Sequence, residues 1–288
     1  IFLHFFQKKL TLFADSLCRT LDDMMDNTAR PEMAYEAETL LARICHHLER
    51  LYNTMQKNRN TIAKEKDNLQ SLLSDISHQT KTPIANLKML NETMLTRSIT
   101  REQRKTFLQA TGSQLDKLDF LIQAMVKTSR LESGAIALEK KNAPIEDALA
   151  AAINGILALM EKKNITLTVN CPEGLTVFHD SRWTSEALFN LLDNAVKYTP
   201  AGGSMGVDVQ DWEMYLKIDV TDTGRGIPER EQAAIFKRFY REESVHDVDG
   251  IGIGLYLARE IITMQGGYIT VTSEVGKGST FSAFLPRK

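Results

Sequence analysis

The residue that most strongly indicates chemistry is one histidine in a helical stretch. His78 stands in the run Ser77–Pro83, which reads SHQTKTP. Imidazole is a nucleophile near neutral pH, because its ordinary pKa of about 6.5 leaves a neutral ring nitrogen available. His78 lies roughly 200° round the helix from a row of residues spaced seven apart, namely Leu69, Ile76, Pro83 and Leu90. We therefore expect His78 to project outward, with Thr82 one turn further along on the same side.

A second set of polar residues lies far downstream, in the run Asn190–Tyr198. The spacing of four places Asn190 and Asn194 on one face of a helix, and Lys197 follows about one turn later. Amide oxygens suit Mg²⁺, which prefers oxygen ligands and keeps waters and substrate phosphates in its shell. The ammonium group of Lys197 can meet a phosphate charge. This set predicts a magnesium–phosphate site with Asn194 and Asn190 as metal ligands, although an ordinary polar helix face has the same spacing.

Two glycine-containing motifs follow in order. In the run Asp222–Pro228, Asp222 is a fixed acceptor at the end of an alternating strand, and glycine lets the backbone approach a planar ligand, here at Gly224 and Gly226. The run Gly250–Leu255 leads into a helix, where free amides and the helix N-terminus favour anions; its glycines are Gly250, Gly252 and Gly254. The ending of a Walker loop and the spacing of a dinucleotide fingerprint are both absent from this run. Taken singly, each motif could be only a tight turn.

Two kinds of secondary structure must position these residues. Residues 1 to about 132 contain two prolines and one glycine, which predicts that helix dominates this half of the chain. Thr100 and Gln103 form a capping box at the start of a returning helix, which Ser133 and Gly134 end. The two helices on either side of Thr100 make a hairpin with a large apolar stripe. We therefore expect a dimeric antiparallel four-helix bundle, with two helices from each chain.

The composition changes after Gly134, where short alternating runs predict strands at 165–169, 216–220 and 268–271. Helical patterns lie between them at about 145–161, 181–198, 229–238 and 254–265. Gly276-Lys277-Gly278 reads as a closing hairpin. The second half is therefore predicted to be an α/β domain.

Bulk properties exclude some functions. The formal net charge of −2 gives no electrostatic basis for nucleic-acid binding. Three scattered cysteines form neither a disulfide framework nor a zinc pattern, as in a reducing compartment. The apolar run Ile1–Phe6 followed by Lys8 and Lys9 predicts the cytoplasmic end of a truncated membrane helix. A hydrophobic cap on a soluble helix is the alternative.

The order of these motifs resembles that of a sensor histidine kinase of a two-component system, with specific motifs from about residue 65 to the end. The resemblance implies four parts: the end of a truncated membrane helix at 1–9, signalling helices of the HAMP type at 10–62, a dimerisation and histidine-phosphotransfer hairpin at 63–134, and a catalytic ATP-binding domain at 135–288. The last would be an α/β sandwich of the GHKL or Bergerat type. ATP and Mg²⁺ would be its cofactors.

The resemblance also implies roles for single residues. His78 would be the phosphoacceptor, and Thr82 would orient the water that hydrolyses a phosphorylated partner. Tyr198 would pack near the nucleotide base, Asp222 would bind the adenine amino group, and Arg241 would contact the γ-phosphate. The run from Glu242 to Asp249 looks like a mobile cover for the nucleotide. Gln79 departs from the family, which most often has an acidic general base there, since an amide can orient the imidazole but cannot take its proton.

The implied function is ATP-dependent phosphorylation of His78, transfer to an aspartate of a response regulator, and phosphatase activity. The full-length protein would be a homodimer in the cell membrane, with this fragment facing the cytoplasm. The nucleotide motifs also resemble those of ATPases related to type II topoisomerases and Hsp90. Those use a glutamate base near the first Asn, and Glu186 does not fill that position convincingly. A catalytically silent scaffold is the other alternative, which the intact motifs disfavour.

Overall fold

The computed structural model describes residues 7–8, 10–12, 14–15, 17–19, 21, 40–132, 137–242 and 250–287. The described residues between 7 and 21 are helical. The chain divides into two units, Ile1–Ser77 and His78–Lys288. The predicted membrane-helix end at 1–9 lies outside the described residues except for Gln7 and Lys8. In the part of the chain that is described, no helix has both the length and the apolarity to cross a bilayer.

Two long helices, α1 (Leu40–Thr96) and α2 (Arg101–Glu132), make up the helical half. The predicted capping box is confirmed, because the Thr100 backbone N–H donates to Gln103 Oε1 at 2.9 Å and the Gln103 N–H donates to Thr100 Oγ1 at 3.2 Å. The predicted division at residue 62 falls inside α1, which contains no glycine and only one proline. The helix continues past Pro83, although proline leaves one backbone carbonyl without its usual donor.

The α/β half begins with β1 (Lys141–Pro144), α3 (Ile145–Asn154), α4 (Leu157–Lys163), β2 (Thr166–Asn170) and β3 (Thr176–His179). It continues with α5 (Ser181–Tyr198), β4 (Ser204–Asp211), β5 (Tyr215–Asp222), α6 (Glu229–Gln232) and a 3₁₀ turn (Ala234–Phe236). The last elements are α7 (Gly254–Met264), β6 (Tyr268–Glu274) and β7 (Gly278–Pro286).

The main sheet has five strands in the order β2-β4-β5-β7-β6. The β2–β4 pair is parallel, and the other three pairs are antiparallel. Strands β1 and β3 form a separate antiparallel pair. Helices α3, α5 and α7 pack together, and their apolar faces share one core with the sheet, which includes the fully buried Leu188, Leu191, Ile218, Ile261 and Leu285. This two-layer arrangement confirms the predicted fold class of a helical hairpin followed by an α/β sandwich.

The sequence prediction missed three strands, β1, β3 and β4. In β4, Met205, Val207 and Val209 alternate inward as a strand requires, but Gly206 and Asp208 between them weaken the propensity signal. The helix predicted at 145–161 is broken at Gly155 and Ile156 into α3 and α4. A side chain at residue 155 would meet the ring of Phe189 at 2.8 Å, so the packing against α5 requires glycine there. The hairpin predicted at Gly276 is confirmed.

Candidate active site

The predicted nucleophile lies on the surface of α1. His78, Gln79 and Thr82 are all exposed, as the helical phase predicted for His78. Pro83 is buried on the other side of the helix. None of the three lines the cleft described next. The histidine helix therefore presents an accessible imidazole outside this cleft.

A cleft in the α/β domain gathers the residues of three motifs that are far apart in the chain. It lies among α5, the loop after β5, the segment before α6, the residues following the 3₁₀ turn, and the start of α7. Its walls include most of the predicted site residues, which are Asn190, Asn194, Lys197, Tyr198, Asp222, Gly226, Arg241, Gly250, Gly252, Gly254 and Leu255. Gly224 contributes through its backbone, as described below. We call this the nucleotide cleft, after the ligand that the sequence predicts.

Asp222 is the buried acceptor of the nucleotide cleft. It is the last residue of β5 and pairs in register with Ser279 of β7. Its Oδ1 accepts a hydrogen bond from the Gly224 backbone N–H at 2.8 Å. Burial raises the pKa of this carboxyl, while backbone hydrogen bonds from Gly224 and Ser279 act in the opposite direction. A carboxyl fixed in this way offers a rigid hydrogen-bond acceptor to a ligand that carries an amino group.

Two glycines of the cleft are required by close backbone approach. Gly226 has a φ of 72°, and a side chain there would overlap the Glu274 carbonyl oxygen. Gly252 has a φ of 79°, and its added carbon would lie 2.5 Å from the Tyr240 carbonyl oxygen. Both positions combine a left-handed conformation with absence of space, so only glycine fits. The backbone at Gly226 thus packs directly against β6, and the backbone at Gly252 packs against the segment after the 3₁₀ turn.

The polar face of α5 makes two contacts that the sequence did not predict. Asn190 Nδ2 donates to the Glu186 carbonyl at 2.8 Å, and its Oδ1 would lie 3.0 Å from a side-chain carbon placed on Gly254. The ammonium group of Lys197 pairs with Asp193 at 2.6 Å. Lys197 still lines the cleft, but its charge is shared with a neighbouring carboxylate instead of facing the cleft alone.

The donor set of this face fits a magnesium ion that also takes phosphate oxygens. Asn190 is held by its amide nitrogen, which leaves its oxygen as the available ligand atom, and Asp193 adds a carboxylate to the wall that Asn194 lines. Among the described residues, no cluster of three or more His, Cys, Asp or Glu side chains could hold a metal alone. Mg²⁺ is commonly bound through one or two protein oxygens plus phosphates and water, so this face suits it.

Several residues of the cleft were not predicted from the sequence. Arg225 makes a two-fold hydrogen bond to Glu242, with both distances 3.0 Å, across the cleft wall. Phe120 comes from α2, and no pattern in the sequence points to it. The remainder are apolar, aromatic or small residues next to the motifs, namely Ile227, Ile235, Tyr240, Ile251, Ile253 and Ser279. Burial is the main cause that raises the pKa of Tyr198, which lies among Arg225, Arg241 and Glu242. The segment 243–249, most of the predicted cover, lies outside the described residues.

Glu186 does not occupy the position of a general base. Its Oε1 accepts from Lys127 Nζ at 2.6 Å, and Glu186 is not part of the cleft wall. The residue one turn closer to the cleft is Asn190, whose amide cannot remove a proton from water. The geometry therefore disfavours the alternative of an ATPase with a glutamate base.

Comparison with known proteins agrees with this architecture. The His Kinase A (phospho-acceptor) domain family matches residues 68–134, and the Histidine kinase-, DNA gyrase B-, and HSP90-like ATPase family matches residues 179–288. The sensor protein KdpD of Escherichia coli (strain K12) is 30% identical over 262 residues, which are 90% of this chain and 29% of KdpD. The chain belongs to the sensor histidine kinases.

Other histidine kinases extend the comparison. The adaptive-response sensory kinase SasA of Synechococcus sp. (strain JA-2-3B'a(2-13)) is 30% identical over 237 residues, or 81% of this chain and 63% of SasA. Full-length ShkA in complex with AMPPNP has a TM-score of 0.56 at 27% identity, over 75% of this chain and 45% of ShkA. ThkA in complex with the response regulator protein TrrA has a TM-score of 0.66 at 20% identity, over 82% of this chain and 66% of ThkA, which shows the shared fold. This histidine kinase chain thus spans less than two thirds of KdpD and of SasA.

Proposed function

We propose that this chain is an ATP-dependent protein-histidine kinase that phosphorylates its own His78. The observation that carries the proposal is the separation of two complementary parts. Asn194, Asp222 and Gly252 all line the nucleotide cleft, whereas His78 is exposed on a helix outside the cleft. A site that only hydrolysed ATP would need neither the histidine nor its helix.

The proposed reaction moves the γ-phosphoryl group of ATP to a ring nitrogen of His78. The bond between the γ-phosphorus and its bridging oxygen breaks, a phosphorus–nitrogen bond forms, and ADP leaves. Asp222 accepts a hydrogen bond from the adenine amino group, and Arg241 and Lys197 meet phosphate charge. The ring proton passes to solvent, because Gln79 can orient the imidazole but cannot accept a proton. Replacing Gln79 by glutamate would supply the missing base.

Mg²⁺ would be held by Asn194 and Asn190, where it would neutralise phosphate charge when bound. Its support is the oxygen-bearing face of α5, in which the amide nitrogen of Asn190 is already engaged by the Glu186 carbonyl. The structure of the similar protein ShkA is a complex with AMPPNP, which supports the proposal that this chain binds a nucleotide.

The proposed partners are a second copy of the chain and a response regulator. Large apolar side chains remain exposed at seven-residue spacing along α2, at Leu108, Leu115 and Ile122, and a homodimeric four-helix bundle would cover them. A receiver-domain aspartate would take the phosphoryl group from His78, as the complex of ThkA with TrrA suggests by its composition. Thr82, exposed one turn from His78, would orient water for the phosphatase reaction. Attachment to the cell membrane through a preceding segment, with this part in the cytoplasm, completes the proposal.

The test is incubation with γ-labelled ATP and Mg²⁺, followed by acid and base treatment of the labelled protein. We expect an acid-labile, base-stable label in the wild type that is absent from His78→Ala. His46→Ala is the matched control, because His46 is also an exposed histidine of α1 and should label normally. Asp222→Asn should lose the label through loss of ATP binding. Label that survives in His78→Ala, or ATP hydrolysis that is unaffected by it, would contradict the kinase proposal.

A further inference from the structure

The C-terminal end of α5 lacks the left-handed residue that commonly closes a helix. The helix ends at Tyr198, and Thr199 takes an extended conformation with φ −79° and ψ 130°. Pro200 follows, which disfavours helical backbone at Thr199 and replaces the left-handed glycine that commonly closes a helix. Thr199 satisfies only one carbonyl, that of Ala195, through its backbone N–H at 3.0 Å and its hydroxyl at 2.7 Å. The next carbonyls need partners from elsewhere.

Lys163 supplies those partners from another helix. It is the last residue of α4, and its ammonium group donates to the carbonyls of Val196 at 2.8 Å, Lys197 at 2.8 Å and Thr199 at 3.1 Å. An ammonium group has three donors, so these three bonds use all of them. Val196 and Thr199 are buried, and burial lowers the pKa of Lys163 itself. A positive charge is also favourable at the negative end of a helix dipole.

The turn that Lys163 holds is the one that carries the nucleotide-binding side chains. Lys197 and Tyr198 both line the nucleotide cleft. The carbonyl of Tyr198 abuts the loop after β5, because a carbon added at Gly224 would lie 2.6 Å from both that oxygen and Asp222 Oδ1. The backbone on the other side is also tied, since the Gly202 N–H donates to the Lys163 carbonyl at 2.9 Å. The ammonium group thus fixes the junction at which Tyr198 meets the loop of Asp222.

We infer that Lys163 is a positioning residue for nucleotide binding, which acts by setting the position of Lys197 and Tyr198 without touching the nucleotide. This inference rests on the proposed function for the identity of the nucleotide as ATP. A purely structural cap would change the stability of the α/β domain and leave the affinity of the folded protein unchanged. A positioning residue changes the affinity of protein that is fully folded, because a small displacement of binding groups is costly.

The experiment measures ATP affinity by calorimetry at a temperature where thermal melting shows each variant to be fully folded. Lys163→Met keeps a long, unbranched side chain but removes the three N–H donors of the ammonium group. We expect it to bind ATP at least about tenfold more weakly than the wild type. Lys163→Arg keeps a positively charged group with N–H donors at this position, and it should retain most of the wild-type affinity for ATP. Lys162→Met is the matched control, since Lys162 is the preceding, exposed residue of α4 and should bind ATP as the wild type does. In the phosphorylation reaction, the KM for ATP should rise more than kcat falls.

Wild-type affinity in folded Lys163→Met would overturn the inference, even if its melting temperature is lower. If Lys163→Met does not fold, Lys163→Gln provides the test, because its amide keeps two donors and we expect affinity below that of the wild type. Unchanged affinity in folded Lys163→Gln would also overturn the inference. A wild-type protein that does not bind ATP would contradict the proposed function itself, which distinguishes that failure from a failure of the inference about Lys163.

Discussion

The helical hairpin and the α/β domain bury their apolar residues to different degrees. In the α/β domain, Leu188, Leu191 and Ile218 are fully buried within a single chain. On the helices, Leu95 is 77% exposed and Met89 is 60% exposed. The core of the α/β domain is therefore complete within one chain, with Leu121, Ala124 and Leu131 of α2 packed into it, whereas other apolar side chains of the hairpin remain exposed.

The two regions also differ in how much of the fold is needed to form their proposed functional sites. On the hairpin, the proposed phosphoacceptor is the exposed imidazole of His78, which needs only a helix to hold it outward. In the α/β domain, the cleft requires α5, the end of β5 and the start of α7 to meet, with glycine where their backbones touch. The exposure of the proposed nucleophile is thus a local feature of one helix, whereas the nucleotide cleft depends on the tertiary fold.

The largest expected effect separates assembly from nucleotide binding. In the double variant Leu115→Glu and Ile122→Glu, two carboxylates would enter the apolar seam of the proposed bundle at a cost of several kcal/mol. We expect a monomer by light scattering at concentrations where the wild type is dimeric, together with near-complete loss of His78 labelling. ATP affinity should stay within about twofold, because separate sites are nearly additive. Ser113→Glu, exposed on another face of α2, should remain a dimer. A double variant that is still dimeric would show that this stripe is not the interface.

An intermediate effect concerns pH and the core of the α/β domain. His179 is fully buried, its Nδ1 lies 2.8 Å from Thr184 Oγ1, and burial lowers its pKa despite the opposing effects of the Ala143 backbone and Asp180. Below its ordinary pKa of 6.5, the unfolded chain binds a proton that the folded domain does not bind. Stability contributed by neutral His179 is therefore present above pH 6.5 and is lost as the pH falls toward the lowered pKa.

The measurement is the melting temperature between pH 7.5 and pH 5, compared with His179→Gln. The variant should be about 1–2 kcal/mol less stable at pH 7.5, since a buried contact is lost, but should lose less stability on acidification. His46→Gln, at an exposed position of α1, is the control for replacing one histidine by glutamine. Equal pH dependence in wild type and His179→Gln would exclude His179 as the titrating group.

The smallest expected effect tests the ion pair between the two regions. Lys127 and Glu186 are 43% and 30% exposed, so solvent screens their attraction. A double-mutant cycle with Lys127→Met and Glu186→Gln should give a coupling free energy of at most about 1 kcal/mol by chemical denaturation. The more exposed pair of Glu274 and Lys277 serves as the control and should give less. A coupling of several kcal/mol would mean that this contact stabilises the described arrangement far more than its exposure suggests.

Local signals in the sequence predicted three features that the described residues confirm. The capping box at Thr100, the outward position of His78 and the hairpin at Gly276 depend on contacts between residues a few positions apart. Strand β4 was missed because Gly206 and Asp208, which lie between its inward-facing side chains, have low strand propensity. Pairing with β5 on one side and β2 on the other holds it in the sheet. The division at residue 62 was predicted from resemblance alone, and the helix has no local breaker there.

By itself, the sequence determined the types of the functional residues and their local phase, because motif spacing and helical periodicity are properties of neighbouring residues. Only the tertiary structure decided which groups share the cleft. It brought Arg225 to Glu242 across the cleft wall and placed the ammonium group of Lys163 on the last turn of α5. The physical reason is that buried carbonyls and charges must find partners, and the fold determines which partners are within reach.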